Sequence, residues 1–206
     1  MYRYYHAGHD HSHRYLLPVL DEILDSLKPE RIFDVGCGNG SVANHLSRRF
    51  NIDGVEISED AVRIANKAFP HLRIERGSAY DDLSQRFGRY PVVISLEVVE
   101  HLYSPRQFAR TVFDLVEPGG SAIISTPYHG YLKNLALALT GKLDAHFTAL
   151  WDHGHIKFWS EKSLGSLLRE AGFASVRFKR AGRFAPLAKS MLAIARKQPG
   201  GGRPGA

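Results

Sequence analysis

The chain has 206 residues, of which 44% are hydrophobic and 23% charged, so it can build one sizeable core but is short for two. Its single cysteine, Cys37, excludes an internal disulfide framework, and it has no apolar run of the ~18 residues that a membrane-spanning helix needs. The formal net charge of +6 does not indicate nucleic acid, because Lys and Arg are scattered and the densest basic stretch, residues 177–183, is expected to be a solvated strand and turn. These features predict a cytoplasmic protein for which nucleic acid is not the expected partner.

Short β-branched runs alternate with segments of helical period in the first part of the chain, which is typical of a parallel α/β sheet. An N-terminal segment and helix are expected over residues 1–28. Further helices are expected over residues 41–50, after Ser58, which is predicted to cap its helix, and from a cap at Ser104 to about Val116. The predicted strands in this part are residues 31–35, 52–58, 72–77, 91–96 and 121–127.

The alternation stops at residues 128–159, a long insertion rich in aromatic residues and histidine. After it, Ser160 is predicted to start a helix that Gly172 closes. The tail, residues 198–206, has the glycine and proline content of a disordered segment. Seven strands with intervening helices therefore predict one domain over residues 1–197. The predicted strands after the insertion are residues 175–180 and 190–197.

The stretch FDVGCGNGS, which contains the end of the first predicted strand, places glycines at positions 36, 38 and 40. A Walker phosphate loop needs a Lys-Ser/Thr pair after its last glycine, and this stretch continues with Ser41 and Val42. A dinucleotide-binding loop needs its third glycine at position 41, one residue later than it occurs here. Glu56 closes the second strand, where a carboxylate can accept hydrogen bonds from both ribose hydroxyls of an adenosine. The combination favours a nucleoside ligand that has no phosphate to bind.

Four stretches in this order resemble the class I S-adenosylmethionine-dependent methyltransferases over about residues 14–197: FDVGCGNG, GVEIS, SAYDD and EPGGSAIISTP. The resemblance implies a doubly wound, Rossmann-like sheet of seven mostly parallel strands whose last strand is antiparallel, with a helical lid insertion. It also implies S-adenosylmethionine as the cofactor and S-adenosylhomocysteine as the product. Asp34 is expected to shape the cofactor loop, and a strand-end cap is the alternative role. The other residues assigned to the cofactor are Gly36, Gly38 and Asn39 for the methionine part, Glu56, Ile57, Ala79 and Tyr80 for the ribose and adenine, and Leu96 for the sulfonium side.

The stretch LEVVEHLYSP spans the end of the fourth predicted strand and places Glu97, Glu100 and His101 close together in sequence. In the ubiquinone-biosynthesis O-methyltransferases, which the chain resembles, the corresponding E-x-x-E-H binds a divalent metal that helps to ionise a catechol hydroxyl. The resemblance therefore implies Glu97, Glu100 and His101 as ligands of a cation such as Mg²⁺, Mn²⁺ or Zn²⁺. Two alternatives stay open: a loop held by hydrogen bonds from its carboxylates to the backbone, and His101 as a catalytic base that needs no metal.

The insertion and the N-terminal segment are expected to complete the acceptor side of the site. The stretches TPYHGYLKNLALALTG and HGHIKFWS resemble the substrate segment of the same family, which implies His155 and the nearby His153 as further catalytic candidates. The N-terminal segment is expected to fold over the cofactor as a lid, with Arg14 meeting the methionine carboxylate. Residues 132–139 are apolar but too short to span a membrane, so they are expected to cover an apolar acceptor; a peripheral membrane contact is the alternative.

The leading hypothesis is an enzyme that methylates an oxygen atom of a small aromatic or lipid-like acceptor. Because the sulfonium is already electrophilic, the protein mainly has to position the acceptor in line and remove its proton. An RNA or protein methyltransferase is the alternative among enzymes, and a non-catalytic, cofactor-binding regulatory module is the alternative of another class. The acceptor-side histidines and the insertion argue against the pure binding module, which needs neither of them.

Overall fold

A computed structural model of the chain describes residues 7–8, 11–147, 149–152 and 154–200. These residues form one mixed sheet with helices on both of its faces. The strands are β1 (Arg31–Val35), β2 (Asn51–Glu56), β3 (Arg73–Arg76), β4 (Tyr90–Leu96), β5 (Val116–Pro127), β6 (Ser175–Ala181) and β7 (Ser190–Arg196). The helices are α1 (His13–Leu27), α2 (Ser41–Leu46), α3 (Glu59–Ala68), α4 (Leu83–Phe87), α5 (Pro105–Leu115), α6 (Tyr131–Leu139), α7 (Leu143–Phe147) and α8 (Glu161–Glu170), with 3₁₀ turns at Val99–His101 and Ala185–Leu187.

The strand order of the sheet is β3-β2-β1-β4-β5-β7-β6. The neighbouring pairs among β1 to β5 are parallel, whereas β7 runs antiparallel to both β5 and β6. The chain therefore builds outward from β1 to β3, then returns to the centre and builds the other half from β4. This order confirms the predicted doubly wound sheet with an antiparallel last strand. It also places a crevice at the carboxyl ends of β1 and β4, where the direction of winding reverses.

The central strands are buried on both faces, as parallel strands are when helices cover the sheet on both sides. In β1 the four successive residues 32–35 are all buried. Ile32 belongs to the cluster that contains Leu16 of α1, whereas Phe33 belongs to the cluster that contains Phe108 of α5. Because successive side chains of a strand point to opposite faces, one apolar run supplies both halves of the core.

The helices begin in different ways. Ser58 caps α3 as predicted, and Ser160 starts α8 as part of a capping box. Ser104 precedes α5 as predicted, but its side chain makes no capping bond; the helix begins on Pro105, whose fixed φ suits the first helical position. Helix α4, which Asp82 caps, was not predicted, because five residues are too few to show a helical period.

The largest difference from the predicted elements is at the start of β5, which begins at Val116 instead of residue 121. The stretch EPGG, which follows the helix predicted to end at about Val116, lies inside this strand at a point where the register between β4 and β5 shifts. Gly119 has a φ of +80°, and a Cβ on Gly120 would lie 2.7 Å from the carbonyl oxygen of Pro91. Gly120 is required by the close approach of two strands, and Gly119 by its left-handed backbone. The sequence pattern alone cannot distinguish this arrangement from a turn.

The insertion between β5 and α8 contains α6 and α7, so its predicted helical character is confirmed. Helix α6 has no buried side chain, and its Leu132, Leu135 and Leu139 are 57%, 40% and 79% exposed. Helix α6 therefore lies on the surface and presents apolar side chains to solvent. Among the described residues, no helix combines the length and the apolar character needed to cross a bilayer.

Candidate active site

A cavity of about 860 Å³ opens at the carboxyl ends of β1, β2 and β4, beside the reversal of the strand order. Open α/β sheets bind their ligands at this position, and the volume lies in the range of small-molecule pockets, ~300–1,000 Å³. We name the wall formed within residues 34–42, 56–58 and 77–80 the cofactor half. The wall formed within residues 96–103, together with Trp151 and His155, is named the acceptor half.

The loop after β1 brings bare backbone to the cofactor half. The N–H groups of Gly36 and Cys37 donate to the carbonyl oxygen of Val55 at 2.8 and 3.0 Å, which ties the loop to β2. Gly36 has a φ of +80°, and a Cβ there would lie 2.6 Å from Cγ2 of Val98. Backbone conformation and space both exclude a side chain at this position, so a ligand can approach the main chain closely.

Glu56 ends β2 and lines the cofactor half, with 7% of the residue exposed. One carboxylate oxygen accepts the N–H of Gly38 at 3.0 Å, and the other accepts the N–H of Ser58 at 2.8 Å. Burial raises the pKa of Glu56, an effect that these backbone donors oppose. A carboxylate offers about four lone-pair sites, so Glu56 can hold the glycine loop and still accept hydrogen bonds from ribose hydroxyls.

Asp34, near the end of β1, also lines the cofactor half and is 2% exposed. Burial and the neighbouring Glu56 raise the pKa of Asp34 to about 8. Two buried carboxyl groups side by side make this part of the cavity unfavourable for a phosphate and favourable for a cation. The sulfonium and ammonium groups of S-adenosylmethionine carry such positive charge.

The remaining wall of the cofactor half is largely apolar. Ile57 lines it and is 57% exposed, which leaves an apolar surface for the flat face of a base. Ala79 and Tyr80 line the cavity on the loop after β3, and the Tyr80 hydroxyl accepts the N–H of Ser104 at 3.1 Å. The resemblance assigned both residues to the edge of the adenine, and this assignment stays a prediction.

The N-terminal segment closes a further side of the cavity, and the side-chain amide of Asn39 donates to the carbonyl oxygen of Gly8 at 2.9 Å. Arg14 does not line the cavity, because α1 packs its Leu16 side on the sheet and leaves Arg14 exposed. The structure therefore does not bring Arg14 to the expected methionine carboxylate. Residues 1–6, 9 and 10 of the expected lid lie outside the described residues. The described residues of this segment that line the cavity are His11, Ser12, His13 and Tyr15.

Leu96 ends β4 in the cavity wall, and Glu97 follows in a left-handed conformation with a φ of +55°. A non-glycine residue with positive φ is uncommon and persists where its surroundings hold it. Here the Ser125 hydroxyl donates to one carboxylate oxygen at 2.8 Å, and the Ser190 hydroxyl donates to the other at 3.3 Å. Burial raises the pKa of Glu97 to about 7. Glu97 is thus engaged with hydroxyl groups from β5 and β7.

Within the described part of the chain, Glu100, His101 and His155 form a group that could hold a metal ion, with one ligand atom from each within 4.8 Å of the others. The imidazole centroids of His101 and His155 are 4.9 Å apart, and Nε2 of His155 is 4.0 Å from Oε1 of Glu100. This group shares Glu100 and His101 with the ligand set expected from the sequence, but it contains His155 in place of Glu97. His153 lies outside the described residues.

Glu100 is fully buried, and neither of its carboxylate oxygens has a hydrogen-bond partner in the described ranges. Burial and the nearby Glu97 raise the pKa of Glu100 well above its ordinary value. Its backbone oxygen accepts the N–H groups of Ile156 and Lys157 at 2.9 and 3.0 Å. The loop after β4 is therefore joined to the end of the insertion by its main chain, and not by carboxylate-to-backbone bonds from Glu100.

The two imidazoles of the acceptor half have different surroundings. Nδ1 of His101 lies 3.2 Å from the carbonyl oxygen of Gly154, which can only accept. Nδ1 therefore carries the hydrogen, and in the neutral ring Nε2 carries the lone pair. Burial, helped by His101 and His146, lowers the pKa of His155 to about 4. His155 is consequently neutral at physiological pH.

Several residues of the cavity wall and its surroundings were not singled out from the sequence. Tyr103 and Trp151 line the acceptor half, and Ser125 and Ser190 hold Glu97. Tyr103 lies in a stretch already singled out and Trp151 lies beside the insertion histidines, so closeness in sequence was an available signal. Ser190 offered none, because only the pairing of β5 with β7 brings it to Glu97.

The fold and the cofactor half together define a class of protein. Its marks are a seven-stranded sheet with an antiparallel β7, a glycine loop without a phosphate-binding lysine, and an acidic end of β2. Residues 8–177 match the family model described as a methyltransferase domain. The chain belongs to this family, the class I S-adenosylmethionine-dependent methyltransferases.

The chain is similar to relatives named ubiquinone biosynthesis O-methyltransferase. It is 34% identical to that of Caulobacter sp. (strain K31) over 126 residues, 59% of this chain and 48% of the relative. It is 32% identical to that of Azorhizobium caulinodans over 177 residues, 82% of this chain and 64% of the relative. The apo structure of the S-adenosylmethionine-dependent methyltransferase SibL shares the fold, with a TM-score of 0.69 at 20% identity over 88% of this chain and 54% of SibL. The chain thus spans between about half and two thirds of the length of these proteins.

Proposed function

We propose that the protein transfers the methyl group of S-adenosylmethionine to a hydroxyl oxygen of a small aromatic or lipid-like acceptor. The observation that carries this proposal is one continuous cavity, which joins Asp34 and Glu56 in the cofactor half to His101 and His155 in the acceptor half. The names of the Caulobacter and Azorhizobium relatives support oxygen as the methylated atom.

In this reaction the acceptor oxygen forms a bond to the methyl carbon while the bond from that carbon to the sulfonium sulfur breaks. The sulfur keeps the electron pair and becomes the neutral thioether of S-adenosylhomocysteine, and the acceptor hydroxyl gives up its proton. The protein aligns oxygen, carbon and sulfur and receives that proton. His101 suits the second task, since Gly154 holds its Nδ1–H and Nε2 carries the accepting lone pair.

The same cluster fits a divalent cation. The buried oxygens of Glu100 have no hydrogen-bond partner among the residues described, and His101 and His155 bring imidazole nitrogens close to them. One carboxylate with two imidazoles suits Zn²⁺ better than Mg²⁺, which prefers oxygen ligands. When bound there, a cation lowers the pKa of an acceptor hydroxyl. In the proposed reaction His101 accepts the proton. A bound cation is the alternative, and removal of metal by a chelator tests it.

The surface of α6 supports a lipid-like acceptor. Lys142 follows α6, and Arg183 precedes the 3₁₀ turn Ala185–Leu187, which contacts α6. Both residues are exposed, and cations next to an apolar surface suit the face of an anionic bilayer. We place a peripheral membrane contact here, on the cytoplasmic side, tested by co-sedimentation with vesicles that contain or lack phosphatidylglycerol. Binding to anionic vesicles alone is expected, and binding to neither kind would contradict it. The exposed apolar residues of this surface are Leu132, Leu135, Leu139 and Phe184.

A screen for release of S-adenosylhomocysteine tests the proposed reaction. Purified protein is incubated with S-adenosylmethionine and separate pools of phenols, catechols, carboxylic acids and RNA. Release is expected with the phenol or catechol pool, because the acceptor half brings imidazoles to a wall lined by aromatic side chains. Release with RNA alone would replace the small-molecule acceptor by a nucleic acid, and binding of the cofactor without release from any pool would favour a regulatory module.

A further inference from the structure

Two large aromatic side chains stand exposed at the wall of the acceptor half. Tyr103 is 81% exposed and Trp151 is 45% exposed, and both line the cavity. Large aromatic side chains in folded proteins are usually well buried or enriched where something binds. Tyr131 and Phe184 are also exposed, but neither lines the cavity. Tyr103 and Trp151 are therefore distinguished by their place next to the reacting groups.

Trp151 is positioned by the turn that leads to His155. The N–H of Gly154 donates to the carbonyl oxygen of Trp151 at 3.0 Å, and a Cβ on Gly154 would lie 3.2 Å from Cε3 of the indole. The indole meets the imidazole of His101 edge-to-face at a centroid separation of 6.5 Å and that of His155 at 5.6 Å. A tight turn, which admits only glycine at its end, thus holds the indole against both imidazoles.

Tyr103 contributes to the same wall from the loop after β4. It follows the 3₁₀ turn Val99–His101, and the intervening Leu102 also lines the cavity. The hydrogen bonds to the backbone oxygen of Glu100 join this loop to the segment that carries Trp151 and His155. The tyrosine, the indole and the two imidazoles are consequently parts of one wall.

We propose that Tyr103 and Trp151 bind the acceptor by stacking on a flat aromatic ring and so present its hydroxyl to His101. This deepens the proposed methyl transfer, on which it rests, by naming two side chains that orient the acceptor ring. Aromatic pairs hold a planar ring in offset or edge-to-face contact without a polar group on that ring. An anionic group beside the hydroxyl is disfavoured, because the carboxyl group of Glu97 lines the same cavity.

Tryptophan fluorescence measures this contact without turnover. The chain has two tryptophans, and Trp159 is 8% exposed with its indole N–H donating to the carbonyl oxygen of Val99. With S-adenosylhomocysteine bound, catechol is expected to quench the wild-type emission and to leave that of Trp151→Phe unchanged. The non-planar cis-cyclohexane-1,2-diol, which carries the same pair of hydroxyls, is expected to quench neither protein.

Steady-state kinetics of variants provide a second test of this contact. Trp151→Ala and Tyr103→Ala are each expected to raise KM for catechol by ~5- to 150-fold, the range that corresponds to the loss of one ring-stacking contact, with KM for S-adenosylmethionine unchanged. Trp151→Phe is expected to recover most of the affinity, because a ring still stacks. Tyr131→Ala is the matched control, since Tyr131 is 79% exposed and does not line the cavity; its KM for catechol is expected to equal that of the wild type.

The outcomes separate this proposal from the methyl transfer itself. If the wild type methylates catechol while Trp151→Ala and Tyr103→Ala keep its KM, the stacking contact is wrong and the reaction stands. If catechol quenches the wild type but no phenol or catechol releases S-adenosylhomocysteine, the contact stands and the proposed reaction is wrong. Quenching by a single-stranded RNA oligonucleotide but not by catechol, or no quenching by either, would overturn the proposal.

Discussion

The cofactor half and the acceptor half of the cavity are built in different ways. The cofactor half uses the ends of neighbouring parallel strands, and its contacts link backbone to a nearby carboxylate, as Gly38 and Glu56 do. The acceptor half gathers residues that are distant in sequence, such as His101 and His155, through main-chain bonds of the insertion. The first half follows from the sheet, whereas the second depends on one insertion. We therefore expect changes in the two halves to separate cofactor binding from acceptor chemistry.

The largest expected effect belongs to the acceptor half. His101→Ala is expected to lower kcat by ~10²- to 10⁴-fold, because the acceptor proton loses its base. The affinity for S-adenosylhomocysteine, measured by calorimetry, is expected to stay unchanged. His71→Ala is the control, because His71 is exposed and does not line the cavity. EDTA is expected to leave the wild-type rate unaffected; suppression by EDTA that Zn²⁺ reverses would assign Glu100, His101 and His155 to a metal instead.

Gly36→Ala should act on the other half and weaken cofactor binding by ~100-fold or more. The left-handed conformation alone costs ~1–2 kcal/mol with a side chain, and the new Cβ must also displace Val98. Gly119→Ala is a matched control, since Gly119 has the same φ of +80° and its nearest neighbour would be 3.8 Å away. Calorimetry with S-adenosylhomocysteine makes the comparison. Equal affinities of the two variants would mean that the glycine loop does not form part of the cofactor site.

Glu56→Ala is expected to weaken cofactor binding by ~10- to 100-fold, the loss of about two hydrogen bonds to a charged group. Glu59→Ala provides the control, because the Glu59 side chain is 78% exposed and Glu59 does not line the cavity. The measurement is again calorimetric. If Glu56→Ala binds S-adenosylhomocysteine as tightly as the wild type does, Glu56 does not bind the ribose.

The smallest effect concerns pH. The pKa of Asp34 is about 8 in the cofactor-free protein, so below that pH the carboxyl is protonated. A cationic cofactor favours the carboxylate, and binding must then release a proton. The affinity is therefore expected to rise with pH by at most ~10-fold per unit up to about pH 8, and to level off above it. Asp34→Asn should remove this component of the slope; equal slopes in both proteins would contradict it.

The sequence predicted most of the fold, and the residues that it assigned to the cofactor line one cavity, except Arg14, because short strands and their connecting loops are local patterns. The residues that the structure places differently from expectation are decided by long-range packing. Glu97 was grouped with Glu100 and His101 by spacing alone, but its left-handed backbone and the hydroxyls of Ser125 and Ser190 draw it into a different network. Arg14 was assigned to the methionine carboxylate because of its charge. The apolar side of α1 packs on the sheet, so Arg14 faces solvent.

The two glycines of EPGG show the same limit within a secondary structure element. A glycine pair after a helical pattern predicts a stop, and α5 does end just before it at Leu115. The chain nevertheless continues as β5, because Gly120 lies against the backbone of Pro91 and allows the register between β4 and β5 to shift. Contact between strands, which no local pattern reports, decides between a turn and a strand irregularity.

The most direct measurement follows the transferred methyl group. The protein is incubated with S-adenosylmethionine labelled with carbon-13 in its methyl group and with catechol, and the products are analysed by NMR and mass spectrometry. The account predicts a labelled methyl group on the catechol oxygen, formed in equal amount with S-adenosylhomocysteine and lost in His101→Ala. A labelled methyl group on a ring carbon, or bound cofactor that gives up no methyl group to any phenol or catechol, would contradict it.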